Sequence, residues 1–149
     1  MSFWKEDWSA TKQRFLDWWR GKGFLVGSWS GTRLTTPHAV VTDPGPPASV
    51  DQQWTDLAWR VPAAHRQAAG TGYPLDTLPI ADPWLGPGSM ALYLGSAPGF
   101  SEETVWYEPC LDDAALDAPL KLDPDNRWWR FQLELIERMI AAADGHYLV

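Results

Sequence analysis

The stretch that decides the fold is LKLDPDNRWWRFQLELIERMIAAADGHYLV, residues 120–149. Its apolar residues recur at helical spacing, which predicts one helix with a buried stripe. The members of that predicted stripe are Trp129, Leu133, Ile136, Ile140 and Ala143. Asp123 or Asp125 is expected to cap the helix, and Gly145 to end it. The residues that follow, HYLV (146–149), indicate the beginning of a strand, so the chain is predicted to be α/β.

Upstream of this stretch, residues 3–20 carry aromatic side chains at helical spacing and predict a second helix. Ser2 is its candidate N-cap, and Gly21 and Gly23 are expected to end it. The stripe expected to face inward consists of Trp4, Trp8, Thr11, Phe15 and Trp18. The next residues, FLVGSWS (24–30), predict a short strand, although Gly27 weakens that prediction.

The middle of the chain is interrupted by proline and glycine, which predict a loop over residues 33–48. Ser49 and Gln52 fit the S-x-x-Q capping box and predict a helix that kinks or restarts at Pro62. Residues 89–94 are expected to form one or two helical turns. Residues 104–108 (TVWYE) predict a strand because they are β-branched and aromatic.

Charge and composition narrow the function classes. Twelve Lys and Arg stand against 19 Asp and Glu, a net charge of −7, which makes nucleic acid and anionic membranes poor candidate partners. The start of the chain has no apolar leader, and no run of apolar residues is long enough to span a membrane, so a cytoplasmic location is expected. The single Cys110 and three scattered histidines show no zinc-ligand spacing, so no metal site is predicted in this segment.

Eleven tryptophans in 149 residues invite two interpretations. Trp buries a large apolar area, so the chain could build its core from aromatic side chains. Alternatively, the indoles could be stacking platforms for sugars or a flat cofactor. The core interpretation is favoured because most of the tryptophans fall at helical spacing.

Three further blocks accompany the C-terminal stretch, in this order: YPLDTLPIAD (73–82), WLGPGSMALYLG (84–95) and SEETVWYEP (101–109). Together with residues 120–149 they resemble the amino-terminal part of bacterial proteins in the uroporphyrinogen decarboxylase superfamily, which also contains corrinoid-dependent methyltransferases. The resemblance implies the N-terminal portion of a TIM-type (β/α) barrel, mainly helices with short strands. On this view residues 1–149 form a single, incomplete segment, and the complete enzyme is a lyase (a carboxy-lyase) or a methyltransferase.

The resemblance also implies roles for particular residues. Asp82 matches the catalytic aspartate that meets the pyrrole nitrogens of a tetrapyrrole, and Asp76 matches an earlier, structural aspartate. Arg33 lies where the family's anion-gripping loop would be, and it is assigned with Trp84 to substrate binding. The family's R-Q-A-G-R pattern is replaced here by G-T-R-L (31–34), which weakens the case for tetrapyrrole carboxylates. The alternative for Asp82 is a purely structural role. Because it precedes Pro83, its side-chain oxygen could simply stabilise a turn.

The leading hypothesis is therefore an enzyme segment, inactive alone, whose complete form acts on a small molecule. No cofactor is expected in the segment itself, since the family's corrinoid and zinc sites are implied only for the complete enzyme. One alternative is a Trp-rich module that binds a small ligand or a carbohydrate. Another is an interaction fragment that docks on the remainder of a barrel or on a second copy of itself.

Overall fold

The computed structural model describes residues 3–111 and 121–149, and the chain divides into two compact units. The first unit comprises Met1–Asp43, Pro62–Asp82 and Met139–Val149. The second unit comprises Pro44–Val61 and Pro83–Arg138. Within the described ranges the helices are α1 (Trp8–Trp19), α2 (Val50–Thr55), α3 (Leu57–Ala69), α4 (Ser89–Tyr93) and α5 (Arg127–Ala143). The strands are β1 (Thr32–Arg33), β2 (Thr71–Gly72), β3 (Pro98–Phe100) and β4 (Val105–Tyr107).

The first unit contains short β pairings rather than an extended sheet. β1 pairs antiparallel with β2, and an antiparallel bridge joins Gly27 to Leu75. The strand predicted over residues 24–30 is thus wrong in extent, because only this single bridge forms there. Gly27 passes so close to the neighbouring chain that a Cβ on it would lie 3.3 Å from the backbone nitrogen of Thr77. Glycine therefore allows the backbones to approach at this point.

Helix α1 begins at Trp8 and not at residue 3. The backbone N–H of Trp4 donates to the carbonyl oxygen of His146 at 2.8 Å, and this long-range bond holds Trp4 outside the helix. Thr11 of the predicted stripe is fully buried, whereas Trp18 is exposed. The candidate cap Ser2 lies outside the described residues.

The predicted cap of α2 by Ser49 is confirmed, whereas the Gln52 side chain bonds to Ala48 and not to the N–H of Ser49 as in a standard capping box. The side-chain oxygen of Ser49 accepts from the backbone N–H of Gln52 at 3.1 Å, and the Gln52 side chain accepts from that of Ala48 at 2.6 Å. The predicted restart at Pro62 is wrong in position. The break lies at Asp56, whose carboxylate accepts from the backbone N–H of Ala58 and starts α3, and Pro62 sits inside α3.

The second unit is built around aromatic side chains. Leu85, Leu92 and Trp128 form its buried centre, and four partly buried aromatics pack on it: Tyr93, Phe100, Tyr107 and Phe131. The hairpin of β3 and β4 confirms the predicted strand at 104–108, and α4 confirms the predicted helical turns. Gly86 has φ +98°, and a Cβ there would lie 2.3 Å from the hydroxyl oxygen of Tyr107, so both conformation and space require glycine.

Helix α5 is confirmed as an element, but its predicted cap is wrong, and its predicted stripe is wrong at Leu133 and Ile140. The side chain of Asn126 accepts from the backbone N–H groups of Trp128 and Trp129, at 2.8 and 3.1 Å. The buried residues of the helix are Trp128, Leu135, Met139 and Ala143. Of the predicted stripe only Ala143 is fully buried, while Leu133 and Ile140 are exposed. The helix is therefore turned relative to the prediction.

The chain is a mixed α and β fold, as expected, and the described residues form no closed barrel. The favoured interpretation of the tryptophans as core residues is only partly right. Trp4, Trp54 and Trp128 are buried. Five others are exposed, namely Trp18, Trp19, Trp29, Trp84 and Trp106. No helix in the described ranges is long and apolar enough to cross a membrane.

Candidate functional site

Asp82 lies directly after a parallel pairing of two chain segments. A parallel bridge joins Ile80 to Leu148. The N–H of Ala81 donates to the carbonyl oxygen of Leu148 at 2.9 Å, and the N–H of Leu148 donates to that of Pro79 at 2.7 Å. The Asp82 side chain is exposed and makes no hydrogen bond or ion pair with any residue in the ranges 3–111 and 121–149. It is thus a solvated carboxylate at the carboxyl end of this pairing.

Arg33 also belongs to the first unit, where it pairs with Thr71 across β1 and β2. Its side chain is exposed and, within the described part of the chain, bonds to no other residue. The structure therefore does not bring Arg33 into contact with Asp82. Arg33 remains available to an anionic ligand only as an isolated surface cation.

Trp84 belongs to the second unit, and two side chains fix the backbone around it. The Arg60 guanidinium donates to the carbonyl oxygen of Trp84 at 2.5 Å, and the Gln132 amide donates to that of Pro83 at 2.6 Å. The Trp84 ring lies 5.9 Å from that of Trp54, which is itself buried. Trp84 thus presents a partly exposed indole on a fixed backbone.

Asp76 stabilises the structure of the first unit. It is buried, and its carboxylate accepts from the backbone N–H of Val26 at 2.9 Å and forms an ion pair with Arg14. The hydrogen bond from Val26 and the neighbouring Arg14 lower the pKa of Asp76 below its usual value. Asp76 and Val26 share a second hydrogen bond, which the backbone N–H of Asp76 donates to the carbonyl oxygen of Val26 at 2.7 Å. Asp76 therefore ties the segment leading to Asp82 onto the chain after α1.

Lys5 supports the same segment from another side. Although it is a lysine, it is buried, and its ammonium group donates to the carbonyl oxygens of Tyr73 and Leu75 at 2.7 and 2.6 Å. Its charge is matched by Asp7 at 2.9 Å. The hydrogen bonds from Lys5, and then from Arg14, lower the pKa of Asp7 to about 2. This network holds residues 73–76 in place.

The first unit also contains a group of side chains that sequence reasoning missed. We call it the histidine cluster; its members are Trp4, His38, His65, Tyr73, His146 and Tyr147. The centroid of the Trp4 ring lies 5.5 Å from that of His38, 5.4 Å from that of His65 and 5.1 Å from that of His146. All three histidines of the chain therefore meet at one indole. Their positions in the sequence carry no common motif, so no local pattern could have predicted this.

The polar contact inside the histidine cluster joins His65 to Tyr147. The Nδ1 atom of His65 lies 3.0 Å from the Tyr147 hydroxyl. Burial, and then the nearby His146, lower the pKa of His65, while burial raises the pKa of Tyr147 to about 12. Both groups are therefore neutral near pH 7 and hydrogen-bonded to each other.

No family model, curated protein or solved structure matches this chain. The site must therefore be interpreted from its own geometry. Among the described residues, no group of three or more His, Cys, Asp or Glu side chains is placed to hold a metal ion. The histidine cluster lies on the amino side of the Ile80–Leu148 pairing, because His146 and Tyr147 precede Leu148, whereas Asp82 lies on its carboxyl side.

Proposed function

We propose that this chain is the N-terminal segment of a uroporphyrinogen decarboxylase-like enzyme, either a decarboxylase or a corrinoid-dependent methyltransferase, and that it is inactive alone. The observation that carries the proposal is the parallel pairing of Ile80 with Leu148, with Asp82 immediately beyond it. It adds to the resemblance of the four sequence blocks.

The parallel bridge is informative because two parallel segments need a crossover connection, which is the connection found between neighbouring strands of α/β folds. In such folds, barrels included, substrates bind at the carboxyl ends of the strands. Asp82 occupies this position, and it is not engaged by any described residue. The histidine cluster occupies the opposite end, where side chains serve stability.

The chemistry at Asp82 follows from its charge. A carboxylate can accept hydrogen bonds from pyrrole N–H groups and can offset positive charge that develops when a pyrrole carbon is protonated. Arg33, also of the first unit, offers a guanidinium that can pair with one carboxylate.

Equilibrium dialysis of the chain against uroporphyrin and against hydroxocobalamin tests this proposal. Under the decarboxylase form, uroporphyrin is retained and Asp82→Asn weakens its retention by about tenfold, the effect of losing a charged hydrogen-bond acceptor. Asp144→Asn is the matched control, since Asp144 is also an exposed aspartate of the first unit. Preferential retention of hydroxocobalamin would support the methyltransferase form. The proposal fails if neither ligand is retained, or if the two variants behave alike.

A second candidate function is favoured by the five exposed tryptophans, which could stack sugars or another planar ligand. Tryptophan fluorescence, titrated with a panel of neutral sugars, distinguishes it from the first. A saturable response to a sugar, in a chain that retains no tetrapyrrole, would favour this binding module. Without any sugar response the module is excluded.

A further inference from the structure

The negative charge of the chain is unevenly distributed. The first unit contains seven Lys or Arg and seven Asp or Glu. The second unit contains five Lys or Arg and twelve Asp or Glu. The whole excess of −7 therefore belongs to the second unit. Within the first unit, residues 8–33 carry five Lys or Arg and a single Asp, Asp17. Arg14 of this segment is paired with Asp7 and Asp76, so the positive surplus rests on the other four cations against Asp17.

Large apolar side chains are exposed in the same segment. Lys12, Leu16 and Trp19 are spaced i, i+4 and i+7, so they share one side of α1. Trp19 exposes 82% of its surface. Gly21 and Gly23, both with positive φ, turn the chain after the helix. Phe24 follows them and exposes 79% of its surface. The apolar side chains thus project into solvent around the end of α1.

Cationic side chains lie among these apolar ones. Lys12, Arg20 and Lys22 are all exposed. The one acidic group, Asp17, lies 3.8 Å from the guanidinium of Arg20, a long and exposed pair that leaves most of the positive charge to solvent. We call this surface the tryptophan patch; it consists of Lys12, Leu16, Trp18, Trp19, Arg20, Lys22 and Phe24.

We propose that the tryptophan patch binds an anionic lipid surface. Indole and phenyl rings are favoured at the boundary between headgroups and acyl chains, and neighbouring Lys and Arg are attracted to anionic headgroups. The net charge of the chain predicts repulsion from such a surface, but attraction depends on the charges nearest to it. At ordinary ionic strength, charges more than about 10 Å away are largely screened.

A lipid surface fits the patch better than a protein partner does. Lysine is depleted at protein interfaces, where apolar anchors fill pockets. Here exposed lysine and arginine side chains lie close in sequence to exposed aromatic rings, a combination that favours a membrane interface. This proposal goes beyond the proposed enzyme segment and does not depend on it.

Flotation of the chain with vesicles tests the proposal. The expected result is flotation with phosphatidylcholine vesicles that contain phosphatidylserine, little flotation with phosphatidylcholine alone, and loss of binding as salt is raised. Lys22→Gln should weaken partitioning by about fivefold, the effect of removing one cation near an anionic surface. Trp19→Ser removes the most exposed ring of the helix and should weaken partitioning at least as much.

Trp106→Ser is the matched control. Trp106 lies on β4 and exposes 72% of its surface, but its neighbours in sequence include Glu103 and Glu108 in the acidic second unit. It should leave flotation unchanged. Because Trp19 and Trp106 are both exposed, neither variant should alter the urea unfolding midpoint. These variants leave Asp82 untouched, so tetrapyrrole retention is measured separately.

Three outcomes would overturn the lipid proposal. The first is no flotation with phosphatidylserine at low salt. The second is equal loss of flotation in Trp19→Ser and Trp106→Ser. The third is salt-sensitive self-association in place of flotation, abolished by Lys22→Gln, which would assign the patch to the acidic unit of a second copy.

Discussion

The Nδ1 atom of His65 lies 3.0 Å from the hydroxyl oxygen of Tyr147, two residues far apart in the sequence that meet beside Trp4. Because burial raises the pKa of Tyr147 to about 12, the hydroxyl keeps its proton. The Nδ1 atom of a neutral His65 can accept a hydrogen bond from that hydroxyl, whereas a protonated imidazole can only donate. Protonating His65 therefore forces this buried contact to rearrange.

Stability should fall on mild acidification because the pKa of His65 is lowered in the folded chain. The unfolded state then binds more protons between about pH 7 and pH 5.5, so the free energy of unfolding decreases as pH falls through the ordinary histidine pKa. Urea unfolding followed by tryptophan fluorescence at these pH values measures the effect. His65→Gln should flatten the dependence. An unchanged pH profile in this variant would show that His65 is not the group responsible.

Tyr147→Phe isolates the hydrogen bond from the packing of the ring. The phenyl group keeps the apolar contacts, so the variant loses only the hydroxyl and should be destabilised by about 1 kcal/mol near pH 7. The same urea titration measures it. If Tyr147→Phe unfolds at the wild-type midpoint, the contact contributes nothing to stability.

The substitution of aspartate by asparagine should destabilise the chain at Asp76 but not at Asp82. Asp76→Asn removes the charge that the Val26 N–H and Arg14 hold, and should cost about 2 kcal/mol of unfolding free energy. Asp82→Asn affects a solvated carboxylate and should change stability by less than about 0.5 kcal/mol. Urea unfolding of both variants is the measurement. Equal losses would contradict the assignment of Asp76 to structure and of Asp82 to a ligand.

Asn126 should be the N-cap that stabilises α5. Asn126→Ala leaves the N–H groups of Trp128 and Trp129 without their acceptor and should cost about 1 kcal/mol. Asp125→Ala removes only an exposed ion pair with Arg130 and should cost less. Thermal unfolding by circular dichroism compares the two. A larger loss for Asp125→Ala would restore the cap expected from the sequence.

The orientation of α5 can be tested with two leucines that are two residues apart. Leu135 is fully buried, whereas Leu133 is exposed. Leu135→Ala should therefore cost about 3 kcal/mol, and Leu133→Ala less than about 1 kcal/mol. The free energies of unfolding of the two variants are compared by urea titration. The reverse order would mean that Leu133, as the helical spacing first indicated, faces the core.

The candidate site was only partly accessible to sequence reasoning. The position of Asp82 after an apolar segment could be inferred from YPLDTLPIAD, yet the parallel pairing that places it depends on residue 148. No sequence pattern predicted the histidine cluster, because Trp4 contacts His38, His65 and His146 across sequence separations of 34, 61 and 142 residues.

The sequence by itself determined the elements that depend on contacts within a few residues. The Ser49 cap of α2, the turns of α4 and the strand β4 all followed from local spacing and side-chain chemistry. Only the tertiary structure decided which face of α5 is buried, where α1 begins, and that three histidines meet at Trp4. The physical reason is that many faces of a Trp-rich helix are apolar enough to be buried. The choice among them is made by the shape of the surface it packs against, which no local pattern records.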